Sequence, residues 1–455
     1  MQQRLALRVR RRRVQTRDIV TWLAGILSFA LLVYVMVGIA RQIIAAPPAL
    51  RLVLVHDIPL PSGLGASSAG TRDPLAPGVE VPFDRFDFQA YDPQIHRLFI
   101  AHTGPNPDRL TLAQIKFDPA TDGHIIVFDT LQQRVVGRVN IPHVSGITVA
   151  GDSGKVYASD ADDNIVYAID EKTLAAKPIE LNENESPDAI SYDPRDHRIF
   201  VSNPGTPANP DKSANVDRKN QNVVVIDTTT DQVVAKINIG NLPRLPEEHV
   251  PTLKDSQIPT FGYDLGHSKY DNVQHRVFVV TQVLPDADSP NPNILPPLGA
   301  AELMAIDPVS AEVVQRLLLP ATCLTPHGMA LDTEQEIAFI SCVEVDSSRG
   351  IGPNLVRVDL RAMTVIPADP RQMRLAPVPD IVVIDHTVHV LLVGCRGGIS
   401  VFDERAGSFH KLNDYQPGKN THSIALDEES QYIYMPMVVG GRPVLRVVRY
   451  NPHGV

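Results

Sequence analysis

Asp87, Asp188, His327, Asp380 and His422 each stand at the same place in a repeated segment of this chain. Ser145 takes that place in one further copy. Another copy is irregular, and Asp264, Gly266 and His267 all qualify there. If the repeats are equivalent strands around one axis, these side chains converge on a single ring. Imidazole and carboxylate brought together from neighbouring strands make a ligand site, and His327, Asp380, His422 and Asp87 form a donor set suited to a divalent cation such as zinc or manganese. The same groups can act as general acid and base on a bound ester or lactone. A structural role is the alternative, because Asp and His also bond backbone groups where a strand begins.

The elements that must position this ring are legible as repeats. The clearest copy reads PDAISYDPRDHRIFVSN from Pro187, followed after an insertion by QNVVVIDTTTDQVVAKINIG. Runs of five to eight residues rich in Val and Ile, separated by turn residues, are the pattern of antiparallel strands. Related units begin at Phe86, Ser145, His267, Pro326, Pro379 and Thr421. That gives seven first strands, and the seventh unit lacks its fourth. ALRLVLVHDIPL, residues 49–60, is similar to the missing strand. Pairing it with residues 443–450 would close a ring and leave no open sheet edge.

The units, above all VVVIDTTTDQVVAKINIGN, resemble the YVTN-repeat family of seven-bladed β-propellers across residues 49–455. The resemblance implies an all-β fold of seven four-stranded antiparallel blades and an exported protein, and it leaves the biochemistry open. In such a fold the long connections 103–123, 204–220, 241–260, 282–299 and 343–353 emerge on one face, the face where the ring lies. Long loops on a rigid scaffold are where ligands are usually gripped.

The second strands end on that face at His102, Asp160, Asn203, Thr281, Cys342, Cys395 and Met437. His102 and Asp160 are read there as exposed turn residues that could add to a site. Cys323 and Cys342 fall on adjacent antiparallel segments and are candidates for a disulfide, which leaves Cys395 free. The aspartates that end the third strands (Asp129, Asp170, Asp227, Asp307, Asp359 and Asp403) are expected to cap turns. No phosphate-binding glycine loop, His-Glu-x-x-His helix, nucleophile elbow or haem-attachment motif is present,.

The N-terminus differs from the rest. Seven arginines within residues 1–18 precede an uncharged run, 19–40, that would span about 33 Å as a helix, enough to cross a bilayer,. The arginines place the N-terminus in the cytoplasm and residues 41–455 outside the cytoplasmic membrane. A signal peptide cleaved near Ala45-Ala46 is the alternative. Beyond residue 40, 35 basic residues face 51 acidic ones, a net charge of −16. That balance argues against nucleic acid as a partner. The sequence therefore points to a membrane-anchored propeller that binds a protein, glycan or small molecule on its long-loop face. A lactone or ester hydrolase working at the channel mouth is the alternative.

Overall fold

Short Val- and Ile-rich runs cannot bury their backbone groups unless each run pairs with its neighbours. The computed structural model shows that they do so in seven antiparallel sheets of four strands each. It describes residues 51–61, 85–104, 123–181, 186–204, 221–240, 242, 261–285, 301–343, 347, 349–405, 409–418, 421–440 and 442–451. The innermost strands are Arg85–Asp92, Val144–Ala150, Ile190–Asp193, Phe261–Asp271, Pro326–Asp332, Pro379–Asp385 and Ala425–Asp427. Successive inner strands neighbour one another around a central channel. The chain is thus an all-β, seven-bladed propeller.

The seventh sheet is completed from the other end of the chain. Arg51–Pro59 forms its outermost strand beside Arg442–Asn451. Leu60 N–H donates to Pro443 O at 3.0 Å, and Arg446 grips Asp57 through two 2.7 Å bonds. The strand therefore covers an edge that would otherwise be open. The apolar segment 19–40 lies outside the described residues. Among the described residues no helix is long and apolar enough to cross a membrane.

The turns explain how so many strands keep one register. Every turn from first to second strand ends on a left-handed residue: His96, Gly154, His197, His275, Glu336, His389 and Gln431. An aspartate precedes six of these turns and accepts backbone N–H groups, as Asp92 does from Gln94 at 2.8 Å and Asp332 from Glu334 at 2.9 Å. The third-strand aspartates do likewise, Asp227 from Thr229 and Thr230 and Asp307 from Val309 and Ser310. Such Asx turns fix a hairpin locally. Packing between blades supplies the rest. Phe99, Phe200, Phe278 and Phe339 lie at one register level of four second strands and are buried between sheets. Each contributes about 1.5–3 kcal/mol by leaving water.

Candidate functional site

The ring residues do not sit in regular strand. Pro326 pairs with Cys342 and Met329 with Ile340, so His327 and Gly328 together oppose the single residue Ser341. The same one-residue excess occurs at Ser145-Gly146, Asp380-Ile381 and Gly266-His267. Each is a β-bulge, a device that re-aims a side chain out of the pleat. A left-handed residue stands two positions before the ring residue in four blades, at His143, Ser186, Thr325 and Val378.

Glycine is needed where one bulge presses on the next blade. A Cβ on Gly328 would lie 1.6 Å from Asp380 O, and one on Gly146 would lie 1.9 Å from Asp188 O. Ser341 and Ser159, opposite these bulges, accept the freed Gly328 and Gly146 N–H groups at 3.1 and 2.8 Å. Ser159 Oγ also donates to Asp188 O at 2.8 Å, which ties the bulge to the neighbouring blade.

This geometry divides the ring into two clusters. In the first three blades Ser145 Oγ lies 2.5 Å from Asp188 Oδ1 and 3.2 Å from Asp87 Oδ2. In blades four to six, His267 Nε2 lies 3.5 Å and His327 Nε2 3.6 Å from the same oxygen, Asp380 Oδ1. The two imidazole rings pack at 4.7 Å, and Phe88 covers the other side of His267 at 4.7 Å. His267 is 2% exposed, and its Nε2 and Asp380 Oδ1 are buried atoms with no hydrogen-bond partner. Burial holds the His267 imidazole well below its ordinary pKa, and the nearby His327 and Lys269 add to this, so the ring is neutral at pH 7,.

The distances decide what the second cluster can do. At 3.5–3.6 Å the His–Asp contacts are too long to be good hydrogen bonds. Ligand atoms bound tetrahedrally about 2.0–2.1 Å from a zinc ion stand roughly 3.3 Å apart. The three donor atoms all lie within 4.8 Å of one another. Two imidazoles and a carboxylate so placed fit a divalent cation,. The His327 side chain, 36% exposed, leaves one side open to the mouth.

The donor set differs from the one expected from sequence. His327 and Asp380 come together, but their third partner is His267, contributed by the irregular repeat. Gly266 takes the ring position there and His267 the next place in the bulge, and the side chain of Asp264 lies outside the described residues. Asp87 belongs to the cluster with Ser145 and Asp188. His422 is buried, and the three-residue group that converges here is His267, His327 and Asp380. The signal that could have found His267 is the repeated small residue after the ring position, Gly146, Ala189 and Gly328, which His267 replaces.

Other expectations also change. His102 and Asp160 are wholly buried rather than exposed. His102 packs against Phe86 and His124, both at 4.7 Å, and Asp160 lies 3.7 Å from His143. Cys323 and Cys342 form a disulfide with a Cα–Cα distance of 5.1 Å. Cys395 is buried, and desolvation pushes its thiol up to about 12, so it is not a nucleophile at neutral pH,. Of the long connections, 105–122, 205–220, 243–260, 286–300 and 344–346 lie outside the described residues.

No protein-family profile matches the chain, and no curated protein matches it in sequence. In fold it is similar to a solved structure of Kuenenia stuttgartiensis hydrazine synthase, with a TM-score of 0.55 and 13% identity over 84% of this chain and 98% of that one. At that identity the likeness is one of fold. The architecture is a β-propeller, a class that commonly serves as a binding scaffold.

Proposed function

We propose that this chain is an exported propeller of the YVTN-repeat type that binds a ligand at the mouth of its channel through a divalent cation. His267, His327 and Asp380 hold the ion. The observation that carries this reading is the convergence of two imidazole nitrogens on one carboxylate oxygen, with His267 Nε2 and Asp380 Oδ1 buried and unpartnered. Leaving such atoms buried without a partner costs roughly 1–3 kcal/mol each, which a bound cation would offset. The sequence supports the setting: the uncharged run 19–40 suits a membrane anchor, and the repeat pattern assigns the long connections to the face where the ring lies,.

A lactone or ester hydrolase is the second reading, favoured by the open side of the cluster. Three protein ligands and one vacant position are the pattern of catalytic rather than structural zinc sites. In that reading the three side chains would hold the ion, which would polarise a substrate carbonyl.

Elemental analysis of the full-length protein, purified without chelator and then dialysed against zinc or manganese, tests the proposal. One ion per chain is expected, lost in His267→Ala and in Asp380→Asn and kept in Asp87→Asn and His422→Ala. No metal in the unaltered protein, or retention of the ion in both of the first two variants, removes the proposal. Hydrolysis of a lactone panel by the loaded protein then separates the two readings.

A further inference from the structure

Below the mouth the channel widens into a cavity of about 730 Å³, within the roughly 300–1,000 Å³ usual for small-molecule sites,. Its wall is mostly apolar, with Phe88, Ile147, Ile190, Met329, Ile381 and Ile424 among the lining residues. One level of this channel is irregular. Opposite the large residue of each second strand, six inner strands carry Ala90, Thr148, Ser191, Ala330, Val383 and Ala425. The aromatic or leucine beside each of these fills the space between blades, so a small inner residue suffices. The fourth blade instead carries Lys269, opposite Phe278. Its side chain lines the cavity.

Among the described residues Lys269 forms no ion pair. The carboxylates at the far end of the cavity have other work. Asp427 accepts from Glu429 N–H and Ser430 Oγ–H, Glu428 accepts from His386 N–H, and Glu429 is exposed. An ammonium among apolar walls without a counter-charge is costly, and a bound anion would offset that cost. The six small neighbours at its level leave room for one.

We propose that the channel is a binding site for an amphipathic monocarboxylate, its carboxylate on Lys269 Nζ and its alkyl chain along the apolar wall. Neither the cation site at the mouth nor its ligand is needed for this. A charge-assisted hydrogen bond supplies the selectivity for an anionic head group, and the isoleucines and Met329 supply the affinity for the chain.

Calorimetric titration of the full-length protein with octanoate, 1-octanol and octylamine tests the assignment. Octanoate should bind saturably, one per chain, and octanol and octylamine about tenfold or more weaker. Lys269→Met should weaken octanoate about tenfold or more while leaving octanol unchanged, and Lys269→Arg should retain octanoate binding. Equal binding of octanoate and octanol by the unaltered protein overturns the proposal, and that comparison needs no variant to fold. Absence of saturable binding overturns it equally. Octanoate binding that survives Lys269→Met but is lost with EDTA would place the carboxylate on the His267 cluster and refute the channel site.

Discussion

Replacing Glu404 by glutamine should make this protein more stable, and by an amount that grows with pH. Glu404 and Asp332, from adjacent blades, are each 2% exposed. Gln335 Nε2 donates to both, at 3.0 Å to Glu404 Oε2 and 2.5 Å to Asp332 Oδ2. Desolvation first, then the charge and hydrogen bond of Asp332, push the Glu404 carboxyl from its ordinary value of 4.5 up to about 8. A carboxyl raised in this way contributes stability that is fully present below the unfolded value. That stability is lost as pH rises from about 4.5 to about 8,. Each tenfold in the ionisation constant is worth about 1.4 kcal/mol, so the loss by pH 8 is on the order of 4 kcal/mol. Glutamine keeps the shape, can donate to Asp332 and does not ionise. Thermal unfolding followed by circular dichroism between pH 4 and pH 9 should therefore show the variant gaining on the unaltered protein by roughly 5 °C across that range, given the unfolding entropy of a domain of this size. A stability difference that stays constant from pH 4 to pH 9 would refute the protonated pair.

Three further outcomes follow from the same geometry. Gly328→Ala should destabilise the fold by at least about 3 kcal/mol in chemical denaturation, since its Cβ would meet the Asp380 carbonyl at 1.6 Å,; a silent substitution would mean that the bulge is not packed as described. Removing the disulfide as Cys323→Ala with Cys342→Ala, a sequence separation of 19, should cost about 3 kcal/mol measured against denaturant,. Deleting residues 51–60 should expose the edge strand Arg442–Asn451 and produce aggregation visible in size-exclusion chromatography, whereas Asp57→Asn alone should lower the melting temperature only slightly,.

The architecture was legible because it is a local property repeated many times. Alternating Val/Ile runs and Asx turns act over about ten residues, so each hairpin announces itself, and seven first strands count the blades. The composition of the ring position, Asp87, Ser145, Asp188, His327, Asp380 and His422, was readable for the same reason: equivalent residues in equivalent repeats must share a level. Which of them touch was not readable. That depends on bulges, on the close approach that Gly328 allows, and on a one-residue offset that brings His267 to Asp380. The burial of His102 and Asp160 and the isolation of Lys269 in an apolar channel are likewise products of packing between blades that are distant in sequence. Sequence periodicity carries the pairing of neighbours along the chain. The shift of a single residue at a bulge changes which side chains meet across the ring without altering that periodicity, so only the closed tertiary structure could decide the site.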